Sequence, residues 1–491
     1  MRSGILALAL CTGAMAATYE IGPGRALQSI GAAPWTTLQP GDIVLIHWRP
    51  EPYKEKWVIA RTGTMNAPLI IRGVPGPQGQ LPVIDGAGAV TPRNLDFWNQ
   101  ERGVIKVGGS SVPREDSPAS YPSYVVIENL EVKGARAPTQ FLSTTGGQAG
   151  YEFNAAGIYI ERGRNITIRG CWLHDNGNGL FIGSDRVNPT TDILIERNRV
   201  DSNGYGGRNP EQHNTYTEAA RITYQYNYFG PLTRESEGSN LKDRSAGTVV
   251  RYNWIEGGNR QLDLVEAGSD AIMRDPRYNE AFVYGNVLID HAGPDNSQLI
   301  NYGGDLRDTD RYRGGTIFLY NNTIVSYRTD IADMIRLGVR RATADVRNNI
   351  YFVPEARERV SILQNDGIVD LRNNWFQAGF RPGSTDNAPG IVRDIAGNMT
   401  GVDPGFIDPS QSDYRLSPSS PCVNAGTEEA SGAASLHRLA EQYVKHMAAK
   451  ARPRTSALDV GAFESDVRLL WRIPSLTNPG SFPPLPLPGT P

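Results

Sequence analysis

Three short stretches of this chain carry the side chains best suited to chemistry: His-Asn-Thr-Tyr-Thr-Glu at 213–218, Ser-Asn-Leu-Lys-Asp-Arg at 239–244 and Gln-Leu-Asp-Leu-Val-Glu at 261–266. In a strand, successive side chains point to opposite faces. Leu262 and Leu264 therefore point inward and Asp263 outward, and an inward Leu241 sends Asn240, Lys242 and Arg244 outward. Aligned without gaps, the first stretch puts Asn214, Tyr216 and Glu218 outside and Thr215 and Thr217 inside. Tyr216, Lys242 and Asp263 then stack in one column, with Asn214 beside Asn240 and Glu218 beside Arg244. The column extends to Tyr159 in GIYIERG, Phe181 in GLFIGSD and Arg336 in MIRLG. Lys242 is the candidate base, its pKa lowered by Arg244 and held up by Asp263. Tyr216 and His213 are candidate proton donors. Asn214, Asn240, Asp263 and Arg336 are candidate binding groups, Tyr159 and Phe181 flat apolar platforms. Glu218, Asp243 and Glu266 are carboxylates within reach of a cation. Plainer readings stand beside these. Lys242–Asp263 and Glu218–Arg244 fit ordinary cross-strand ion pairs, exposed strands carry Tyr and Phe by propensity, and the same register points His213 inward or into a loop as a structural histidine. No zinc spacing, G-x-S-x-G or phosphate loop occurs.

The element that must position these residues is a repeat. Strand-forming residues, an Asn and then large apolar residues recur at Asn129, Asn198, Asn227, Asn253, Asn286, Asn322, Asn349 and Asn374, with Gly170 filling the gap. The period is about 31 residues, the length of one supersecondary unit that buries its apolar face only by stacking. Val, Ile, Tyr, Phe and Thr dominate at period two, so the unit is stranded. The Asn marks a bend, where it tolerates left-handed backbone and can bond to the Asn of the next coil. The pattern predicts an all-β, right-handed parallel β-helix. A leucine framework for leucine-rich repeats is absent, and a propeller blade needs four strands and hairpin turns.

The ends differ from the repeat. Residues 1–16 read as a secretory signal with Arg2, the apolar run Ile5–Leu10 and an Ala-Met-Ala site, too short to span a membrane. A secreted or periplasmic protein is expected. Residues 17–430 are read as the β-helix with an N-terminal cap helix, 431–465 as a C-terminal unit, and 466–491 as a Pro-rich tail. Within 434–450, Leu436, Leu439, Tyr443, Val444 and Met447 would share one face of an amphipathic helix. Formal charge is −3, and loss of Arg2 takes it to −4, which gives no reason to expect nucleic acid as a partner. Cys171 and Cys422, the two that remain after the signal, are too few for a disulfide scaffold. Charged loops at 271–280 and 306–315, with Arg274, Arg277, Arg307, Arg311 and Arg313, are expected to overhang the column.

The coil pattern, with its opening ALQSIGAAPWTTLQPGDIVLIH and closing YRLSPSSPCVNAG and ALDVGAFE, resembles the pectate-lyase-like superfamily. The stretch HNTY…GSNLKDR…RYN…QLDL is distantly similar to the chondroitinase-B and alginate-lyase family. That resemblance implies a polysaccharide lyase with Lys242 as base and calcium holding the substrate carboxylate; a monomer without membrane insertion, acting on an anionic polysaccharide, is expected. The family places an Arg one coil later as acid. Here the following strand reads Leu262-Asp263-Leu264-Val265-Glu266, without that Arg. A glycosidase on Asp263 with Glu266 or Glu218, a uronate epimerase and a non-catalytic carbohydrate-binding rod remain alternatives on the same scaffold.

Overall fold

A computed structural model describes residues 16–465 apart from 96–97, 110–119, 207–209, 235, 292–295, 388, 429–432 and 454–456. The expected signal, up to residue 15, and the Pro-rich tail from 466 lie outside the described residues. The strands form a right-handed parallel β-helix of three long sheets, one of thirteen strands and two of eleven. Each coil visits them in turn: Leu241–Asp243 lies in the site sheet, Thr248–Arg251 in the long sheet and Trp254–Glu256 in the third. Among the described residues no helix is long and apolar enough to cross a membrane.

Sequence alternation becomes packing directly. In the site sheet Ile158, Leu180, Thr215, Leu241, Leu262, Ile300 and Ile335 are successive partners and fully buried. Each large aliphatic so buried contributes roughly 1.5–3 kcal/mol. The intervening residue of every strand must then face out.

The repeated Asn forms a ladder. Asn198 Nδ2 donates to Asn227 Oδ1 at 3.1 Å, and the chain continues through Asn253, Asn286, Asn322, Asn349 and Asn374 to Asn398 at 2.9–3.1 Å per step. Each rung also accepts the backbone N–H of its predecessor, as Asn253 does from Asn227 at 2.9 Å. The left-handed residue is the one before the rung: Arg197, Tyr226, Tyr252 and Asn321 have φ of 54°, 58°, 52° and 51°. Gly170 and Asn129, at φ 62° and 58°, belong to that left-handed column and not to the ladder. Cys171 takes the rung position, its N–H donating to Asn198 Oδ1 at 2.9 Å. It is a free, buried thiol, pushed up to about 12 by burial. At the far end Asn398 donates to Asp394. Asp394 stands in the column of Leu319, Val346 and Leu371, and a charge at a core-facing position discourages further strands from adding.

Both expected helices are corrected. The N-terminal one is a single 3-10 turn, Ile30–Ala32, whose Ile30 and Gly31 N–H groups are taken by the Glu55 carboxylate at 3.0 and 2.7 Å. Between 433 and 451 the chain forms a 3-10 turn, Ala433–Leu436, and an antiparallel hairpin of Glu441–Val444 and Ala448–Ala451. The physical reason is a row of tyrosines on the long sheet. Tyr252 OH accepts the Ala440 N–H at 2.9 Å, Tyr320 OH donates to His437 O, and Leu439 is buried among Tyr226, Tyr252, Tyr284 and Tyr320. Backbone groups satisfied by those hydroxyls have no need of helical partners.

Candidate active site

The outward column of the site sheet is Lys106, Tyr159, Phe181, Tyr216, Lys242, Asp263, Asn301, Arg336 and Gln364, each the register partner of the next. Lys242 sits at its centre, only 10% exposed, with Nζ 3.1 Å from Asp263 Oδ2 and in contact with Asp305 Oδ2. Burial works against its charge, but the Asp263 and Asp305 carboxylates outweigh burial and raise its pKa. Lys242 is thus an ammonium in this arrangement: of the two opposing influences expected from sequence, that of Asp263, joined by Asp305, prevails over that of Arg244. Asp263 is 1% exposed and also accepts from Ser239 Oγ at 3.2 Å, Arg260 Nη1 at 3.3 Å and Asn301 Nδ2 at 2.8 Å. Burial alone would raise its pKa; Lys242 and Arg260 hold it well below the usual carboxylate range. With every lone pair engaged, Asp263 anchors Lys242 and offers nothing to a ligand. Arg336 Nη1 donates to Asn301 Oδ1 at 2.9 Å and Gly304 O at 3.0 Å.

On the other side of Lys242 lie the aromatics. Phe181 and Tyr216 stack at 4.9 Å between centroids, and Tyr159 meets Phe181 edge-on at 5.5 Å. The Arg102 guanidinium lies 4.9 Å from the Phe181 ring and 5.4 Å from that of Tyr159. Tyr159 is buried at 7% exposure, so it underlies the platform and is not itself an open stacking face. Burial raises the Tyr216 pKa, with Arg244 and Lys242 opposing, and the phenol keeps its proton at neutral pH. His213 is buried, and its Nδ1 accepts the Ser239 N–H at 2.9 Å, which assigns the remaining proton to Nε2. Burial and Lys242 lower its pKa to about 3. It is a neutral structural imidazole 5.7 Å from the Tyr216 ring, a positioning group in place of the expected proton donor.

Asn214 and Asn240, expected to grip a ligand, are fully buried and form a second ladder. Asn203 Nδ2 donates to Asn214 Oδ1 at 2.9 Å, Asn214 Nδ2 to Asn240 Oδ1 at 3.0 Å, and Asn240 Nδ2 to Glu256 O at 2.8 Å. The strands start only at Thr215 and Leu241. Period-two alternation therefore stops one residue short, and each Asn is already in the bend.

The three carboxylates considered for calcium do not fit one. Asp243 takes an inward position and accepts from Thr217, Thr248 and the fully buried Arg313, at 2.9, 2.6 and 3.1 Å. Glu266 accepts the N–H groups of Asp305 and Leu306 at 3.0 and 2.8 Å, which mounts that loop. Glu218 accepts the Ser269 N–H at 2.6 Å, and burial raises its pKa. Among the described residues no group of three metal-ligating side chains converges.

Arg244 completes the centre. Its Nη1 donates to Glu266 O at 2.6 Å, its Nη2 lies 3.8 Å from Asp305 Oδ1, and its guanidinium is 5.5 Å from the Tyr216 ring. Three of the five arginines expected to overhang are instead used within the fold. Arg313 turns into the core, Arg277 pairs with Asp275 at 2.9 Å and Arg311 with Asp270 at 3.0 Å. A shallow cavity of about 270 Å³ between the loops is lined by Met273, Tyr278, Asp310 and Tyr312, and by no residue of the column. Sequence reasoning missed Asp305, Arg260 and Asn301. Asn301, between Ile300 and Tyr302, was open to the same alternation argument. Asp305 and Arg260 lie in bends, where alternation says nothing.

No protein-family model matches the chain, and no curated protein matches it significantly. Among solved structures the chain is similar to pectate lyase Pel9A, at 14% identity over 92% of this chain and 96% of that one, with a TM-score of 0.46. It is also similar to the GH136 lacto-N-biosidase from Eubacterium ramulus, at 13% identity over 79% of this chain and 68% of that one, TM-score 0.47. A third is an alginate lyase from Paenibacillus sp. str. FPU-7, at 11% identity over 77% of this chain and 98% of that one, TM-score 0.34. These likenesses are of fold. The class that the coils and ladders define is the right-handed parallel β-helix.

Proposed function

We propose that this protein is exported and acts on an anionic polysaccharide, cleaving a uronic-acid linkage by β-elimination. One observation carries the reading: Lys242, on the strand Leu241–Asp243, and Arg244, the residue just past it, converge on one carboxylate, that of Asp305, next to the aromatic run Tyr159, Phe181 and Tyr216 of the column. In the reaction a base removes the proton at C5 of the uronate. The C5–H electrons form the C4–C5 double bond, and the C4–O bond breaks with its electron pair on the leaving oxygen, which takes up a proton. The intermediate places a second negative charge on the carboxylate. Two fixed, largely buried cations stabilise such charge far better than water does. Lys242 and Arg244 supply them, and the protonated Tyr216, next to Lys242 in the column, serves as donor to the leaving oxygen. Phe181 offers a face to a neighbouring sugar. As an ammonium paired with Asp263, Lys242 is the neutralising group.

Hydrolysis is a second reading, because burial raises the pKa of Glu218, as a general acid requires. Mass spectrometry of products from a panel of uronic-acid polysaccharides decides. Elimination gives fragments lighter by one water than hydrolysis does. Ends with full water content contradict elimination, an intact chain with inverted uronate indicates epimerisation, and binding without turnover a carbohydrate-binding rod.

A further inference from the structure

We infer that the Lys242–Arg244 pair is a carboxylate-binding subsite for a uronate, held shut by the chain's own Asp305. The inference rests on the anionic-glycan reading of the groove and names where the sugar's charge sits. Asp305 presents both oxygens to the pair, Oδ2 to Lys242 Nζ and Oδ1 to Arg244 Nη2 at 3.8 Å, as a sugar carboxylate would. Its side chain is 29% exposed, the most accessible of the carboxylates around Lys242.

Hydrogen bonds fix the mount, while the side chain, part-exposed, is held by its ion pairs to Lys242 and Arg244. Glu266 fixes the backbone N–H groups of Asp305 and Leu306, and Arg336 holds Gly304 O. Gly303 has φ 135°, and a Cβ on Gly304 would meet the Tyr312 ring at 2.4 Å and Glu266 at 2.7 Å. The backbone so placed delivers residue 305 to the cations. Opening the pair requires the Asp305 carboxylate to exchange these two ion pairs for water. Arg244 is not saturated by Asp305, since its Nε is buried without a hydrogen-bond partner. A better-fitting carboxylate gains where Asp305 leaves donors idle.

Displacement has a chemical consequence. Asp263 and Asp305 together overcome the burial that opposes the Lys242 charge. When a uronate displaces Asp305, its carboxylate takes over as the second counter-charge beside Asp263, so Lys242 stays an ammonium through binding.

The test is titration of full-length wild type, Asp305→Ala and Asp305→Asn with sodium D-glucuronate and, separately, with D-glucose, followed by NMR, with melting curves for each protein. Asp305→Asn keeps the side chain's volume and so guards against a folding failure in the alanine variant. A subsite closed about nine-tenths of the time gains about tenfold in affinity when opened. That gain is expected for glucuronate alone, and adding Arg244→Gln to Asp305→Ala should abolish it. Unchanged glucuronate affinity in folded Asp305→Asn, or an equal gain for glucose, overturns the inference. A glucuronate gain without unsaturated product from any glycan keeps the subsite and removes the lyase reading. Unsaturated product without the gain does the reverse.

Discussion

Lys242 and Asp263 are register partners on adjacent strands, and their largely buried side chains meet at 3.1 Å. Asp263 is at once the fixed counter-charge of Lys242 and the acceptor for Arg260 and Asn301. Two cations and two neutral donors converge on one carboxylate, so removal of that carboxylate should be felt as stability first. Asp263→Asn is expected to lower unfolding free energy by about 3 kcal/mol, because it strands buried charge. The pH dependence follows from the depressed Asp263 pKa. Its contribution is present above the unfolded value of about 3.9 and lost as pH falls toward the folded value. Wild type should therefore lose its advantage over Asp263→Asn on acidification below about pH 4, as read by urea unfolding. A constant difference down to pH 2 contradicts this.

His213 gives a second pH signature. Its folded pKa of about 3 lies below the ordinary histidine value of 6.5, so between them the unfolded chain binds the proton and the fold does not. Stability should fall as pH drops from about 6.5 toward 3, by up to about 1.4 kcal/mol per unit. His213→Gln should flatten that slope. An unchanged slope means that the imidazole protonates freely in the fold.

The ladder predicts a graded cost along one column. Asn253→Ala leaves the Asn227 N–H and the Tyr224 carbonyl without their partner inside the rod. A loss of about 3 kcal/mol is expected. Cys171→Ala, at the same position of an earlier coil where no side-chain amide is used, should cost about 1 kcal/mol. Equal losses would show that the amide chain carries no special weight.

Sequence reading reached the fold and the outward column because both follow from period two. Tyr159, Phe181, Lys242, Asp263 and Arg336 were placed by their aliphatic neighbours and Tyr216 by gap-free alignment, and all six stand in one outward column, with Asn301 between Asp263 and Arg336. It failed where the chain leaves the strand. Asn214 and Asn240 are in a bend and turn inward, and Asp305 enters from a loop mounted on Glu266. The amphipathic spacing at 434–450 is real but is used by a hairpin under a row of tyrosines. Only tertiary partners could reveal that.

Tyr216 and Phe181 stack on each other, yet they should fail differently. Tyr216→Phe keeps the ring and loses the proton donor, so kcat should fall by about 10²-fold with KM little changed. Phe181→Ala removes a stacking face, so KM should rise with kcat nearly constant. Steady-state kinetics on the responsive glycan reads both. A Tyr216→Phe enzyme of full kcat removes Tyr216 as donor.

The most direct measurement is the initial rate of absorbance from unsaturated uronate ends, for wild type and Lys242→Ala on the same uronic-acid polysaccharide. The account predicts steady product formation by wild type and a drop of about 10²-fold or more in the folded variant. Full activity in Lys242→Ala, or no unsaturated product from any uronate glycan, contradicts it.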